Sequence, residues 1–318
     1  MPTEMIHLVR SARARIAGQL HVTPTLSSQT IARLSGASSV WLKCESLQKT
    51  GSFKVRGALN AVMQLDAAAK ARGVVTVSAG NHAQALAWSA AASGVQCTVV
   101  MPAKASESKA TAAAGYGATV IRHGTAAEAF AKADELAKEM GFTMVHPFDD
   151  LQIQAGTGTI ALEILEQVPD VDVVVVPIGG GGLIAGIAAA VRAVNPRVRV
   201  IGVEPDGAAA MRASLEAGHP VRLSTLNTIA DGLAAPFAGE LTYPAVRDLV
   251  DDVVLVTDRE IAEAMSMILS RCKLLAEPAG AAAIAALLAH KIPQATAKRV
   301  VAILSGGNVD LDRVKELL

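Results

Sequence analysis

The sequence predicts an α/β protein built on two open, largely parallel sheets flanked by helices. Short β-branched runs alternate with Ala-rich helical runs along the chain. Several of the predicted strands lead into loops rich in glycine that open onto helices, as where open parallel sheets bind ligands. The length, 318 residues of which 51% are hydrophobic, suits a large core divided over two domains.

The predicted strands run, in order, over Val40–Cys44, Gly73–Val77, Cys97–Met101, Thr119–Ile121, Val171–Val176, Val198–Val203, Asp252–Val256 and Arg299–Leu304. Each is a short run rich in Val and Ile with turn residues at its ends. A helix is expected from Val55 to Leu65, and others over His82–Ser93, Ala126–Met140, Thr157–Gln167, Ala185–Val194, Asp258–Arg271 and Ala279–Ala289, where Ala and Leu recur at helical spacing. The strand–helix succession from Gly73 to Ile121 reads as a small domain inserted in a larger one. The expected division is 1–68 with 149–318 as the large domain and 69–148 as the small one. No C-terminal regulatory domain is expected.

Composition removes several functions. Lys and Arg number 29, Asp and Glu 29, and aromatics make up 3% of residues. No basic stripe with interleaved aromatics is present, which argues against a nucleic-acid partner. Mean hydropathy is +0.38, high enough to raise the question of a membrane span. The longest weakly charged run, Val171 to Val191, is broken by Asp172, Pro177 and four consecutive glycines, so it reads as strand, loop and helix. The first fifteen residues lack an uninterrupted apolar stretch, so no secretory signal is expected. Cys44, Cys97 and Cys272 are isolated, implying neither disulfides nor a zinc site, and a cytoplasmic location follows by default.

The segment Lys49-Thr50-Gly51-Ser52-Phe53-Lys54-Val55-Arg56-Gly57-Ala58 places a lysine between a glycine–serine turn and a helix. Burial lowers the pKa of an amine, and a neutral amine is the nucleophile that forms a Schiff base. The competing reading is a lysine whose charge snorkels to water. Four post-strand loops complete the picture: Ser78-Ala79-Gly80-Asn81-His82, the loop Pro177 to Gly182, Glu204-Pro205-Asp206-Gly207 and Ser305-Gly306-Gly307-Asn308. Gly179, Gly180, Gly181 and Gly182 precede a helix starting near Leu183, a pattern that cradles phosphate on backbone N–H groups. A dinucleotide site competes, because Gly180, Gly182 and Ala185 satisfy the Rossmann fingerprint and Glu204 ends the next strand. That reading, a nicotinamide dehydrogenase, leaves Lys54, the Asn81 loop and Ser305 without roles. The loop Ser78–His82 opens a helix whose N–H groups suit a substrate carboxylate. Asn81 suits a ring hydroxyl, and His82 reads first as a structural hydrogen-bonding residue and second as a base.

Taken together, Lys43-Cys44-Glu45, Gln48 to Asn60, Ser78 to Gln84, Ala155 to Glu163, Gly179 to Gly186, Thr228 to Gly232, Leu274 to Gly280 and Leu304 to Asp310 resemble the fold-type II family of pyridoxal 5′-phosphate enzymes. Within it the chain is most similar to the threonine/serine dehydratase and serine racemase branch, whose fold is that of the tryptophan synthase β chain. The resemblance implies a homodimer with a large domain, a smaller mobile domain, and the cofactor between them. It implies Lys54 as the Schiff-base lysine, Phe53 beside the cofactor, Asn81 on its ring hydroxyl, and Gly179 to Gly182 with Leu183 on its phosphate. Ser305 would face the pyridine nitrogen, with Gly232 and Glu277 nearby. Ser78, Ala79, Gly80, Asn81 and His82 would receive the substrate.

Three departures stand out, of which the two at the substrate site, Ala79 and Phe148, point to dehydration. Ala79 stands where serine racemases carry a second acid/base serine. Phe148 stands where racemases tend to have asparagine. Ala210 replaces an acidic ligand near Glu204 where relatives bind a divalent cation, so no metal is assigned, with Asp206 as the one candidate replacement. The expected reaction is loss of the β-hydroxyl of L-threonine or L-serine to give a 2-oxo acid and ammonia. Serine racemisation, or dehydration of 3-hydroxyaspartate or a hydroxyectoine-type compound, are the alternatives. Arg56 and Arg122 are candidate contacts for an extra substrate carboxylate, with surface salt bridges as the competing account.

Overall fold

A computed structural model describes residues 2–318. Ten strands are present: β1 (Thr25–Ser27), β2 (Ser39–Cys44), β3 (Val74–Val77), β4 (Cys97–Met101), β5 (Thr119–Arg122), β6 (Thr143–Met144), β7 (Val173–Pro177), β8 (Arg199–Pro205), β9 (Asp252–Val256) and β10 (Arg299–Leu304). They form a six-stranded sheet in the order β1-β2-β10-β7-β8-β9 and a four-stranded sheet in the order β5-β4-β3-β6. Every pairing is parallel except β1 with β2. The expected pair of largely parallel sheets is therefore the observed architecture.

The valine runs explain why the larger sheet sits in the middle of its layer. Val173 and Val175 of β7 join the core on one face, and Val174 and Val176 join the core on the other. In β10, Val300, Ala302 and Leu304 face one way and Val301 and Ile303 the other. Successive side chains point to opposite faces, so a strand apolar at every position belongs between two helical layers. The smaller sheet repeats this, with Val74 and Val99 on one side and Val75 and Val100 on the other.

Eight of the ten strands and five of the seven predicted helices are where the sequence puts them, to within three residues. The two strands not anticipated, β1 and β6, are three and two residues long, too short to show alternation. The helix Pro2–Ile16 also went unread; it buries Ile6, Val9, Ala12 and Ile16 at three- to four-residue spacing behind an Arg-rich outer face. The helix expected from Thr157 begins at Leu151 instead, capped by Asp150, which accepts from the N–H groups of Gln152 and Ile153. Gly156 and Gly158 argue against a helix on propensity alone. The run expected as Asp258–Arg271 is a helix over Asp258–Met267, opened by a capping box of Thr257 and Glu260, and then a π-helical turn over Ile268–Cys272. Among the described residues, no helix is long and apolar enough to cross a membrane. The three cysteines are free.

Candidate active site

The loops after β3, β7 and β10 carry the candidate residues, outside the carboxyl ends of their strands. The loop after β10 turns back along the lysine segment. Phe53 N–H donates to Ser305 O at 3.1 Å, and Ser52 pairs with Gly306. A Cβ on Gly306 would lie 2.3 Å from Glu277 Oε1, so a side chain there would displace the Glu277 carboxyl.

Lys54 begins the helix Lys54–Met63. Its Nζ donates to Pro147 O at 2.7 Å and lies 5.2 Å from the Phe53 ring centroid. Burial pulls the amine down to about 8 from its usual 10.5, against the opposing pull of Glu277. At pH 7 about a tenth of such an amine is neutral, hundreds of times more than for an ordinary lysine, and the neutral form is what traps an aldehyde.

Asn81 Nδ2 donates to Glu277 Oε1 at 2.6 Å, and Asn308 Nδ2 donates to Asn81 Oδ1 at 2.8 Å. Burial raises the Glu277 carboxyl to about 8, outweighing the Asn81 donor that favours its charged form. Gly232 sits beside this pair; a Cβ on it would lie 2.9 Å from Ala279 Cβ and 3.9 Å from Glu277 Oε1. The Ser305 hydroxyl is buried, with one long contact to Ala279 O at 3.4 Å, which leaves it free to engage a ligand.

The glycine run closes the other end. Gly181 has φ of +95°, a left-handed conformation costly for any residue with a Cβ. A Cβ on Gly180 would sit 2.4 Å from the Phe148 ring, and one on Gly182 would sit 2.8 Å from Phe148 O. Thr242 Oγ1 donates to Gly180 O at 2.6 Å and fixes the turn. The helix Gly182–Val194 then starts with no side chain capping it, and Leu183 is buried in its first turn. Uncapped N–H groups beside a bare backbone cradle fit an anionic phosphate.

The helix Asn81–Ala92 likewise starts without a side-chain cap. Within its loop, Ser78 N–H donates to Val100 O and the Ser78 hydroxyl accepts from Gly80 N–H. Ser78 and Gly80 therefore shape the loop with these groups, and the donors left for a carboxylate are those of Ala79, Asn81 and His82. His82 Nε2 is 3.2 Å from Val145 O, and burial drops its pKa to about 3. An imidazole that neutral is a poor proton carrier, and its structural reading is the one the geometry favours.

The two arginines offered as carboxylate contacts have other partners, Arg56 in a buried network and Arg122 in the surface salt bridge given as its competing account. Arg56 does not face substrate. It is buried and bonded to Glu45 at 2.8 Å and to Glu163 at 2.6 Å, inside a network completed by Lys43. Arg122 pairs with Glu107 at 2.7 Å in an exposed salt bridge. The residues present also do not build a cation site at Glu204. Both its carboxyl oxygens accept N–H groups at 2.8 Å, from Met211 and Arg212, Ala210 has no ligand atom, and Asp206 is exposed. Thr242 and the carbonyl of Pro147 are contributors that sequence reading passed over, while Asn308 lies in the loop after β10 that the sequence marked without giving it a role. The first two reach the site from separate stretches of chain, and no local pattern marks them.

The arrangement thus brings together a lysine of lowered pKa, a bare glycine turn whose free N–H groups suit a phosphate, a buried hydroxyl and an Asn–Glu pair. Such a site can hold a phosphorylated aldehyde at both ends. Comparison with known proteins agrees. Residues 16–306 match the family described as pyridoxal-phosphate dependent enzyme. The catabolic L-threonine dehydratase TdcB of Escherichia coli strain K12 is 45% identical over 309 residues, 96% of this chain and 93% of that protein. The serine racemase of Oryza sativa subsp. indica is 43% identical over 318 residues, 98% of this chain and 93% of that protein. The structure of maize serine racemase superposes with a TM-score of 0.94 at 41% identity, covering 98% of this chain and 95% of that one. On the family match and on these identities, the chain belongs to the pyridoxal-phosphate dependent enzymes.

Proposed function

We propose that the protein is an ammonia-lyase that removes the β-hydroxyl of L-threonine or L-serine and releases a 2-oxo acid and ammonia. The observation that carries this is the one-sided placement of proton-transfer groups. Lys54, with a pKa near 8, can accept a proton from Cα at Nζ. The loop Ser78–His82 offers no matching base: Ala79 has no exchangeable proton, the Ser78 hydroxyl accepts from Gly80 N–H inside the loop, and His82 stays neutral.

Pyridoxal phosphate supplies the electron sink for the charge left when the α-proton departs. Ser305, a neutral hydroxyl at the expected ring nitrogen, is too weak an acid to hold that nitrogen protonated. This favours prompt loss of the β-hydroxyl over a long-lived carbanion. The amino acid loses water, and the released enamine takes up water to give the 2-oxo acid and ammonia. Relatives named threonine dehydratase and L-threonine ammonia-lyase, 45% and 46% identical, support the reading.

A second reading, serine racemisation, is supported by relatives of that name at 43% identity. Release of 2-oxobutanoate from L-threonine by the cofactor-loaded protein tests the first. No 2-oxo acid, with D-serine formed from L-serine, would overturn it in favour of the second. If Ala79 is what withholds racemisation, Ala79→Ser should raise D-serine formation relative to pyruvate.

The proposal includes a cytoplasmic homodimer, with residues 69–148 as a mobile domain closing over the substrate. Mass in solution tests the dimer.

A further inference from the structure

The helix Leu151–Gln167 carries none of the candidate cofactor-binding residues, yet it packs against both anchors. One of its faces meets the helix that carries Lys54. A Cβ on Gly156 would lie 2.4 Å from Arg56 O and 2.6 Å from Gly57 Cα, and a Cβ on Gly57 would lie 2.8 Å from Ile153 O. On the same face Thr159 Oγ1 accepts from Arg56 Nη1 at 3.2 Å, and Glu163 accepts from Arg56 at 2.6 and 2.9 Å. Positions 153, 156, 159 and 163 recur at the helical period, so they form one stripe.

The neighbouring stripe meets the helix that opens the glycine cradle. Thr157 Oγ1 donates to Gly182 O at 3.0 Å. A Cβ on Gly186 would lie 2.1 Å from Gln154 O and 2.6 Å from Thr157 Oγ1, and one on Gly158 would lie 2.8 Å from Gly186 O. Both contacts therefore bring backbone close to backbone, at a separation that leaves no room for a Cβ. Close-packed interiors do not absorb an added methyl without moving an element.

We propose that the helix Leu151–Gln167 is a spacer that sets the separation of Lys54 from the glycine cradle, with Gly156 and Thr157 as its positioning residues. This rests on the reading of Lys54 and Gly179–Gly182 as the two ends of the cofactor site. A ligand held at two points gains affinity from the effective concentration of the second anchor, and that gain vanishes when the anchors are misplaced. Displacements well under the length of a bond are enough to matter at such sites.

The test compares three probes on cofactor-stripped protein. Pyridoxal 5′-phosphate uses both anchors, pyridoxal uses the lysine alone, and inorganic phosphate uses the cradle alone. For Gly156→Ala, and for the milder Thr157→Val, pyridoxal phosphate affinity should fall about tenfold and about threefold, while the two single-anchor affinities stay within about twofold. Thr157→Ser, which keeps the hydroxyl, should restore binding. Unchanged pyridoxal phosphate affinity in a folded Thr157→Val protein would overturn the spacer, as would an equal fall for all three probes. Wild-type protein that takes up neither single-anchor probe would overturn the reading of the site itself, and the spacer with it.

Discussion

Asn81 Nδ2 donates a 2.6 Å hydrogen bond to Glu277 Oε1, joining the loop after β3 of the four-stranded sheet to the start of the helix Pro278–Leu288 beside the six-stranded one. Asn81 is held in turn by Asn308, whose Nδ2 also donates to Thr50 O at 2.7 Å. The two sheets thus meet through side chains at the point where the lysine, the Asn loop and the last strand converge.

Glu277 should make the cofactor-free protein lose stability as pH rises. Its carboxyl titrates near 8 in the folded protein and near 4.5 when unfolded. The folded state binds the extra proton between those values. The contribution is therefore complete below about 4.5 and is lost as pH rises through about 8, at up to ~1.4 kcal/mol per pH unit. Urea unfolding at several pH values should show this slope in the wild type and lose it in Glu277→Gln. The same slope in both proteins would exclude Glu277 as its source.

His82 acts in the opposite sense. Its folded pKa near 3 lies below the ordinary 6.5, so the unfolded chain takes a proton that the native imidazole refuses. Stability should fall as pH drops from 6.5 toward 3, by up to ~1.4 kcal/mol per unit. His82→Gln keeps a donor for Val145 O and should remove that component. An unchanged acid limb in the variant would contradict the buried neutral imidazole.

Lys54 should capture pyridoxal phosphate with a rate that rises with pH about a midpoint near 8 instead of near 10.5, because the neutral amine is the attacking form. Stopped-flow absorbance on stripped protein measures it. Lys54→Ala should abolish both borohydride-stable attachment of the cofactor and turnover. Turnover surviving in that variant would remove Lys54 from the mechanism.

Arg56 and Arg122 should separate in urea denaturation. Arg56→Met strands Glu45 and Glu163 in the core with Lys43 as the remaining cation, an expected loss of about 3–5 kcal/mol. Arg122→Ala breaks an exposed pair and should change stability by less than about 1 kcal/mol. A mild Arg56→Met would mean that the network is not tightly coupled.

The sequence by itself determined the fold class, because strands such as β7, and β10 beyond Arg299, are apolar at every position and alternate with Ala-rich helices. It also marked Lys54, the Asn81 loop, the run Gly179–Gly182 and Ser305, since helix starts after glycine turns carry their chemistry locally. What it left undecided was which charges are buried. Arg56 sits two residues from Lys54 and reads as a substrate contact until β2 and the helix Leu151–Gln167 bring Glu45 and Glu163 onto its guanidinium. Gly156 and Gly158 carry no reason for being glycine in the sequence until Gly57 and Gly186 arrive from other segments and leave no room for a Cβ. Propensity and spacing describe a residue's neighbours along the chain. Burial, pairing and closest approach depend on neighbours brought together by folding, and those only the tertiary structure decided.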